Sequence, residues 1–327
     1  MRERWTRSTP ELRLDHAAVG LLLRPVFPDA EVAGIERTKG GLMNTNIRVE
    51  LSGRAEPVLL RLYQRDPALA LKEMRLGREI ASRVPVARFI HFAHDNPVTG
   101  RPYALMEWID GKHLETVVPT LDDSALTTLG ASVGRTLAAI HSFTFDKPGF
   151  FDADLRVPER IDIDAGGLLT YLRHCLIEGR GGRRLGPELT ADAFAVAERE
   201  GHLLDEWLHQ PCLVHADFNG SNILIRQSAE SDDWEVAAVL DWEFAFSGSP
   251  AFDFGNLLRP PLQEVETFFA EVTEGYCRAG GVLPQEWRRI ARIADLFAWA
   301  DFLNRPETTA PLIESARAAI GSLRERD

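Results

Sequence analysis

The sequence predicts an α+β protein of two lobes, a mostly β N-terminal lobe followed by a larger, mostly helical C-terminal lobe. Three observations carry this. Before residue 110, several short runs alternate apolar and polar side chains, the period of a half-buried strand. After Gly111, apolar residues recur instead at three- and four-residue steps, the period of an amphipathic helix. The length, 327 residues, exceeds one ordinary core, so two units are expected at roughly 150 residues each. The joint falls at Glu107–Gly111 and divides the chain into residues 1–109 and 110–327.

Asn46–Leu51 alternates cleanly and reads as the first strand. Ser52–Pro57 has turn composition, and Val58–Tyr63 reads as the second arm of a hairpin. Leu69–Val84 has helical spacing and stops before Pro85, which cannot continue a helix. Val86–Ala93 and Pro102–Ile109 are strand candidates on either side of the turn Asp95–Gly100. Beyond the joint, Leu126, Leu129, Val133, Leu137 and Ile140 mark one face of a helix. Ala191–Leu208 and Pro284–Leu303 have similar spacing. Three short apolar strands, Cys212–His215, Asn222–Ile225 and Val236–Leu240, lie between these helices.

Composition narrows the function. Asp plus Glu is 49 against 37 for Lys plus Arg, a net charge of −12. Such a chain lacks the basic surface that neutralises phosphate backbones, so no nucleic-acid partner is expected. The 45% hydrophobic and 26% charged fractions exclude a disordered chain. Cys175, Cys212 and Cys277 are far apart and odd in number, which fits buried free thiols rather than a disulfide framework or a zinc knuckle. The N-terminal MRERWTRSTPELRL lacks the apolar core of a signal peptide. The longest apolar stretch near it, Ala17–Leu23, is too short to cross a bilayer. A cytoplasmic protein is expected, with no membrane partner and no protein partner implied.

The chemistry concentrates in Leu213–Ile225, where an apolar strand runs into a polar loop and emerges as another apolar strand. The loop presents His215, Asp217 and Asn222. Val239–Glu243 then places Asp241 at the end of a further apolar strand. Asp217, Asn222 and Asp241 supply only oxygen, which suits Mg²⁺ rather than zinc.

His-x-Asp-x-x-x-x-Asn followed by a strand-end Asp resembles the kinase catalytic loop and metal-binding aspartate. The flanking VHADFNGSNILI and VLDWEFAFSGSPAFDFGNLLR are similar to the aminoglycoside phosphotransferase and choline kinase-like family of small-molecule kinases. The resemblance extends to Gly40–Asn46 and Tyr103–Gly111, and so covers roughly residues 38–260. It implies a two-lobed protein-kinase-like fold. Residues 1–109 would be the nucleotide-binding lobe, and 110–327 the catalytic and substrate-binding lobe. The implied reaction moves the γ-phosphate of ATP, with Mg²⁺, to a hydroxyl of a small molecule. That acceptor is an aminoglycoside-like compound, a sugar or an amino alcohol, and GTP stays open as the donor.

The resemblance also implies roles. Asp217 would aim the acceptor hydroxyl at the γ-phosphate and take its proton late, since catalysis here is mostly positioning and charge neutralisation. Asn222 and Asp241 would hold Mg²⁺, with His215 and Asp253 supporting the loop. Gly40 and Gly41, just before Asn44, would let the backbone approach the phosphates. Arg61 stands where a kinase places its lysine, and its planar fork suits phosphate. Glu73 is its expected partner and Glu79 the competitor. The carbonyl of Glu107 and the amide of Ile109 would read the base edge. Asn219 departs from the family's usual histidine.

Only a short segment separates Asp241 from Asp253, where protein kinases carry a long activation loop. That implies a constitutively assembled site and a small acceptor, with Trp299 and Asp301 as candidate contacts. His141 is expected in the core or as a cap. The acidic Phe151–Asp164 and basic Arg180–Arg184 clusters read as solvated loops. Were either functional, the first would favour a polyamine or aminoglycoside and the second an anion. Two other classes stay open. One is a pseudokinase-like nucleotide- or metabolite-binding protein, suggested by the arginine at 61. The other is a metal-dependent hydrolase using Asp217, Asp241 and Asp253.

Overall fold

The computed structural model describes residues 12–38, 44–64 and 66–324. The chain opens with helix α1 (His16–Leu23), whose N-terminus is capped by Asp15. Strands β1 (Val32–Arg37), β2 (Thr45–Leu51) and β3 (Val58–Leu62) follow. Helix α2 (Pro67–Ile80) and strands β4 (Phe89–Ala93) and β5 (Tyr103–Glu107) complete the N-terminal region. The strands form one antiparallel sheet in the order β1-β2-β3-β5-β4.

Period-two alternation decides what each face does. Ile47, Val49, Val58, Leu60, Leu62 and Leu105 point to one face, where they are buried against Val19, Leu22 and Leu23 of α1. The odd positions of β3 therefore point the other way. Arg61, in register with Asn46 and Ala104, is delivered to the α2 side. Helix α2 begins at Pro67, with Asp66 accepting the Ala68 N–H at 2.9 Å. It ends at Ile80, four residues short of the expected Val84. Val84 and Arg83 still donate to the Ile80 carbonyl, so the chain turns before Pro85 instead of stopping at it. Helix α1 and strand β1 were not anticipated. The first is too short to show a period, and the second is an edge strand with no fully buried residue.

Residues 108–111 connect the sheet to the helical region. They lead into β6 (Lys112–His113) and α3 (Leu114–Val117), then into the long helix α4 (Asp123–His141). Next come β7 (Gly149–Phe150), α5 (Ala165–Leu172), a wider turn of helix over Arg173–Glu178, α6 (Gly181–Leu185) and α7 (Pro187–Glu200). Strands β8 (Cys212–Val214), β9 (Ile223–Gln227), β10 (Trp234–Val239) and β11 (Phe246–Gly248) form two three-stranded sheets, β10-β9-β6 and β7-β11-β8. Helices α8 (Ala251–Leu257), α9 (Glu266–Arg278), α10 (Trp287–Asn304) and α11 (Ala310–Ser322) close the chain.

The main core lies among these helices. Leu129, Val133, Leu137 and Ile140 of α4 are fully buried, as their spacing predicts. Helices α4 and α9 cross closely enough that only glycine fits. A Cβ on Gly134 would stand 2.2 Å from the Val272 carbonyl oxygen, and one on Gly275 2.5 Å from that of Ala131. The predicted Ala191–Leu208 helix starts earlier, at Pro187, and tightens into a narrower turn over Gly201–Trp207. No helix among the described residues is long and apolar enough to cross a membrane.

Candidate active site

The polar loop between β8 and β9 is built around Asp253, at the start of α8. Its carboxylate is fully buried and accepts the N–H groups of His215 and Ala216, each at 2.9 Å. It also lies 3.2 Å from Nε2 of His141, whose Nδ1 faces the Tyr276 hydroxyl at 3.0 Å. Two N–H groups converging on one carboxylate hold Ala216 in the left-handed region, at φ 65°. That turns the chain sharply just before Asp217. His215 fixes the other side. Its Nε2–H donates to the Leu240 carbonyl at 2.8 Å, and its Nδ1 accepts the Asp217 N–H at 3.2 Å. The loop is thereby tied to the end of β10, one residue before Asp241.

Asp217 is held by two amides. Asn219 Nδ2 donates to Oδ1 at 2.6 Å, and Asn222 Nδ2 donates to Oδ2 at 2.7 Å and to the Asp217 carbonyl at 2.8 Å. Asn219, the departure from histidine, is itself anchored by the N–H and hydroxyl of Ser221. Gly220 passes so close to α3 that a Cβ would lie 2.8 Å from that of Glu115. Asn222 is fully buried, and its Oδ1 makes no hydrogen bond among the described residues. A buried carbonyl oxygen without a partner is unfavourable unless something electropositive meets it.

Asp241 follows β10 in the left-handed conformation, φ 61° and ψ 62°. Its Oδ1 accepts from Arg61 Nη1 at 2.9 Å. Arg61 Nη2 reaches both oxygens of Glu73, at 3.1 and 3.2 Å. Arg61 and Glu73 are each 4% exposed, whereas Glu79 lies exposed on the same helix. Burial works against the guanidinium charge, but Glu73 and Asp241 outweigh it and hold the Arg61 pKa well above its ordinary value. Burial pushes Glu73 the unfavourable way, up to about 7. Arg61 opposes this, and Glu243 and Asp241 add to it. The Tyr63 ring lies 5.4 Å beneath the guanidinium carbon.

Sequence reasoning missed Lys72, next to Glu73. Its ammonium is buried and donates to the carbonyls of Glu243 and Ala245, at 2.6 and 3.2 Å. Burial lowers its pKa. The segment after Asp241 is thus clamped to α2. A lysine among apolar helix residues is the signal that could have found it, because a buried ammonium needs acceptors.

These groups open on a cleft of about 1540 Å³, lined by Asn44, Asp217, Asp241 and Glu243 together with aromatic side chains of the helical region. Asp301 also lines it, paired with Arg305. Trp299 does not. It is 3% exposed and packs against the Arg259 guanidinium at 4.7 Å, because its position on α10 faces the core. Glu107 ends β5, with its carboxylate forked to Arg88 and its N–H donating to the Arg88 carbonyl at 3.0 Å. Ile109 packs half-buried beside Met106. Gly40 and Gly41 lie outside the described residues. The basic cluster is not a free loop: Arg184 donates to the carbonyl of Leu303 in the last turn of α10 and to those of Arg305 and Pro306 just beyond it.

Among the described residues no three His, Cys, Asp or Glu side chains converge as a metal site. Mg²⁺ does not require that. It binds through one or two protein oxygens and completes its octahedron with phosphates and water. The unpartnered Asn222 Oδ1 and the Asp241 carboxylate fit such an ion.

Sheet, cleft and loop together define a phosphotransferase-type fold. The particular family follows from the sequence. Residues 34–293 match the APH model, the phosphotransferase enzyme family, and the chain belongs to that family. Its fold is shared with aminoglycoside phosphotransferases. The GDP and kanamycin complex of APH(2″)-IIIa aligns over 95% of this chain and 99% of that one, at TM-score 0.70 and 16% identity. A thermostable mutant of APH(4)-Ia in ternary complex with AMP-PNP and hygromycin B aligns over 94% and 96%, at TM-score 0.62 and 18% identity. Acyl-CoA dehydrogenase family member 10 of Mus musculus is 25% identical over 197 residues. That match covers 56% of this chain and 16% of the mouse protein, so the chain spans about a sixth of that relative.

Proposed function

We propose that the protein moves the γ-phosphoryl group of Mg-ATP to a hydroxyl of a small molecule. The observation that carries this is Asn222. One end of its side chain orients Asp217, the other is a buried oxygen with no hydrogen bond among the described residues, and its backbone carbonyl accepts the N–H of Leu240, the residue before Asp241, at 2.8 Å. Asp217 would accept the acceptor O–H and align its oxygen with the phosphorus. Asn222 and Asp241 would hold the ion, which when bound neutralises charge on the phosphate oxygens. Arg61, fixed by Glu73, would grip the phosphates from the sheet side. Gly40, Gly41 and Asn44 would let the backbone approach them. The Glu107 carbonyl and the Ile109 amide would meet the base. The AMP-PNP and GDP in the related structures support a nucleotide donor, ATP with GTP as the alternative. Their kanamycin and hygromycin B support a polyhydroxylated small acceptor.

The test is an acceptor screen that reads ADP release from Mg-ATP, with Asp217→Ala as the blank. Acceptor-dependent release that disappears in the variant is the expected result. Release that persists undiminished in Asp217→Ala would overturn the assignment of Asp217. Failure to bind any nucleotide would overturn the whole reading.

A further inference from the structure

We propose that the acceptor is a hydroxyl compound with an extended apolar skeleton, held along a row of aromatic side chains at the cleft. This rests on the phosphotransfer reading and names its substrate class. Phe150, Phe246, Phe252, Phe297 and Tyr171 all line the cleft that contains Asp217. In that order each ring touches the next, with centroids 5.7, 5.2, 5.6 and 5.6 Å apart. They come from β7, β11, α8, α10 and α5, so no local sequence requirement brings them together. Successive rings are turned by 45°, 86°, 42° and 41°. Phe246 and Phe252, 5% and 9% exposed, back the row, while Phe150, Tyr171 and Phe297 present more of their surface.

Two cleft rings stand in water: Phe150 is 62% exposed and Phe244 36%. Phe150 is held there by strand pairing, directly opposite Phe246. Covering exposed rings such as these with an apolar ligand is favourable.

Some of the carboxylates of the same cleft are already engaged. Asp164 accepts the Gly167 N–H at 2.8 Å, and Asp301 pairs with Arg305 at 2.7 Å. Glu178 lies 3.6 Å from His174, and Asp162 3.8 Å from Arg160. Arg173 and Arg305 line the cleft too. In the transfer, the acceptor oxygen bonds to the γ-phosphorus and the bond to the β–γ bridging oxygen breaks. ADP leaves with the electron pair, and the hydroxyl proton passes to Asp217 and on to solvent.

The test offers the full chain linear primary alcohols from butanol to dodecanol, with kanamycin as the polycationic comparison. Binding is measured by calorimetry and transfer by ADP release, in the wild type and in Phe150→Ala. Affinity should rise about three- to fourfold for each methylene covered. Phe150→Ala should raise the KM of the longest acceptor at least tenfold, with the KM for ATP unchanged. Thermal melting confirms that the variant is folded. Kanamycin preferred over every alcohol, affinity independent of chain length, or indifference to Phe150→Ala would each overturn the proposal and leave phosphotransfer standing. Chain-length-dependent binding that Phe150→Ala weakens, without ADP release from any acceptor, would uphold the apolar site and overturn the phosphotransfer reading.

Discussion

Arg61 and Asp241 stand 180 residues apart in the chain, and their side chains meet at 2.9 Å. Through this contact the third strand of the sheet touches the residue proposed to hold magnesium. The second amino group of Arg61 is spent on buried Glu73. Arg61→Ala therefore does two things. It removes the proposed phosphate ligand and strands a buried carboxylate, and breaking such a pair costs about 3–5 kcal/mol. We expect a lower melting temperature and a fall in kcat/KM for ATP of about 100-fold, near 2.7 kcal/mol. The double variant Arg61→Met, Glu73→Leu should regain stability without regaining turnover. Full transfer activity in a folded Arg61→Ala protein would refute the phosphate role.

Asn222→Ala should move the magnesium requirement. The substitution removes the unpartnered oxygen and one of the two amides on Asp217. The Mg²⁺ concentration for half-maximal turnover should rise at least tenfold, at unchanged ATP. A magnesium titration of turnover measures this, and coincident curves for variant and wild type would count against Asn222 as a ligand.

Glu73 predicts a pH dependence of stability. Its folded pKa, about 7, lies above the ordinary 4.5 because the carboxyl is buried. Between these values the folded chain binds a proton that the unfolded chain has released. Stability therefore falls as pH rises across that window, by at most about 1.4 kcal/mol per pH unit for one proton. Below it the contribution is fully present, and above it the loss is complete. Glu73→Gln has no such titration. Urea midpoints of nucleotide-free protein at pH 5, 6, 7 and 8 should diverge between wild type and variant, and parallel profiles would sink the argument.

Lys72→Met keeps the length of the side chain and deletes its donors. The carbonyls of Glu243 and Ala245 lose their ammonium partner. We expect destabilisation of about 1–3 kcal/mol. We also expect kcat to drop roughly tenfold as the segment after Asp241 loosens, near 1.4 kcal/mol. Urea denaturation and steady-state kinetics separate the two effects. An unchanged kcat would confine Lys72 to stability.

The elements that carry chemistry were legible where local pattern and chemistry coincide. The apolar–polar–apolar run around Asp217 specifies strand, loop and strand by itself, and the alternation in β3 sets which way Arg61 points. Contacts made across long stretches of chain were not legible. Nothing near Lys72 announces the carbonyls of Glu243 and Ala245, and nothing near Phe150 announces Phe297. Trp299 shows the converse. Its residue type suggested a ligand contact, but helical phase turned it toward Arg259. Asp301, two residues on, faces the cleft.

The left-handed turn at Ala216 sets durability against turnover. An L-residue at φ 65° carries roughly 1–2 kcal/mol of steric penalty that glycine would not. Ala216→Gly is thus a route to a hardier protein. It also frees the backbone beside Asp217, so the gain in heat resistance would come with a less well-aimed carboxylate. A lineage selected for speed has reason to keep the alanine, and one selected for survival at high temperature has reason to replace it.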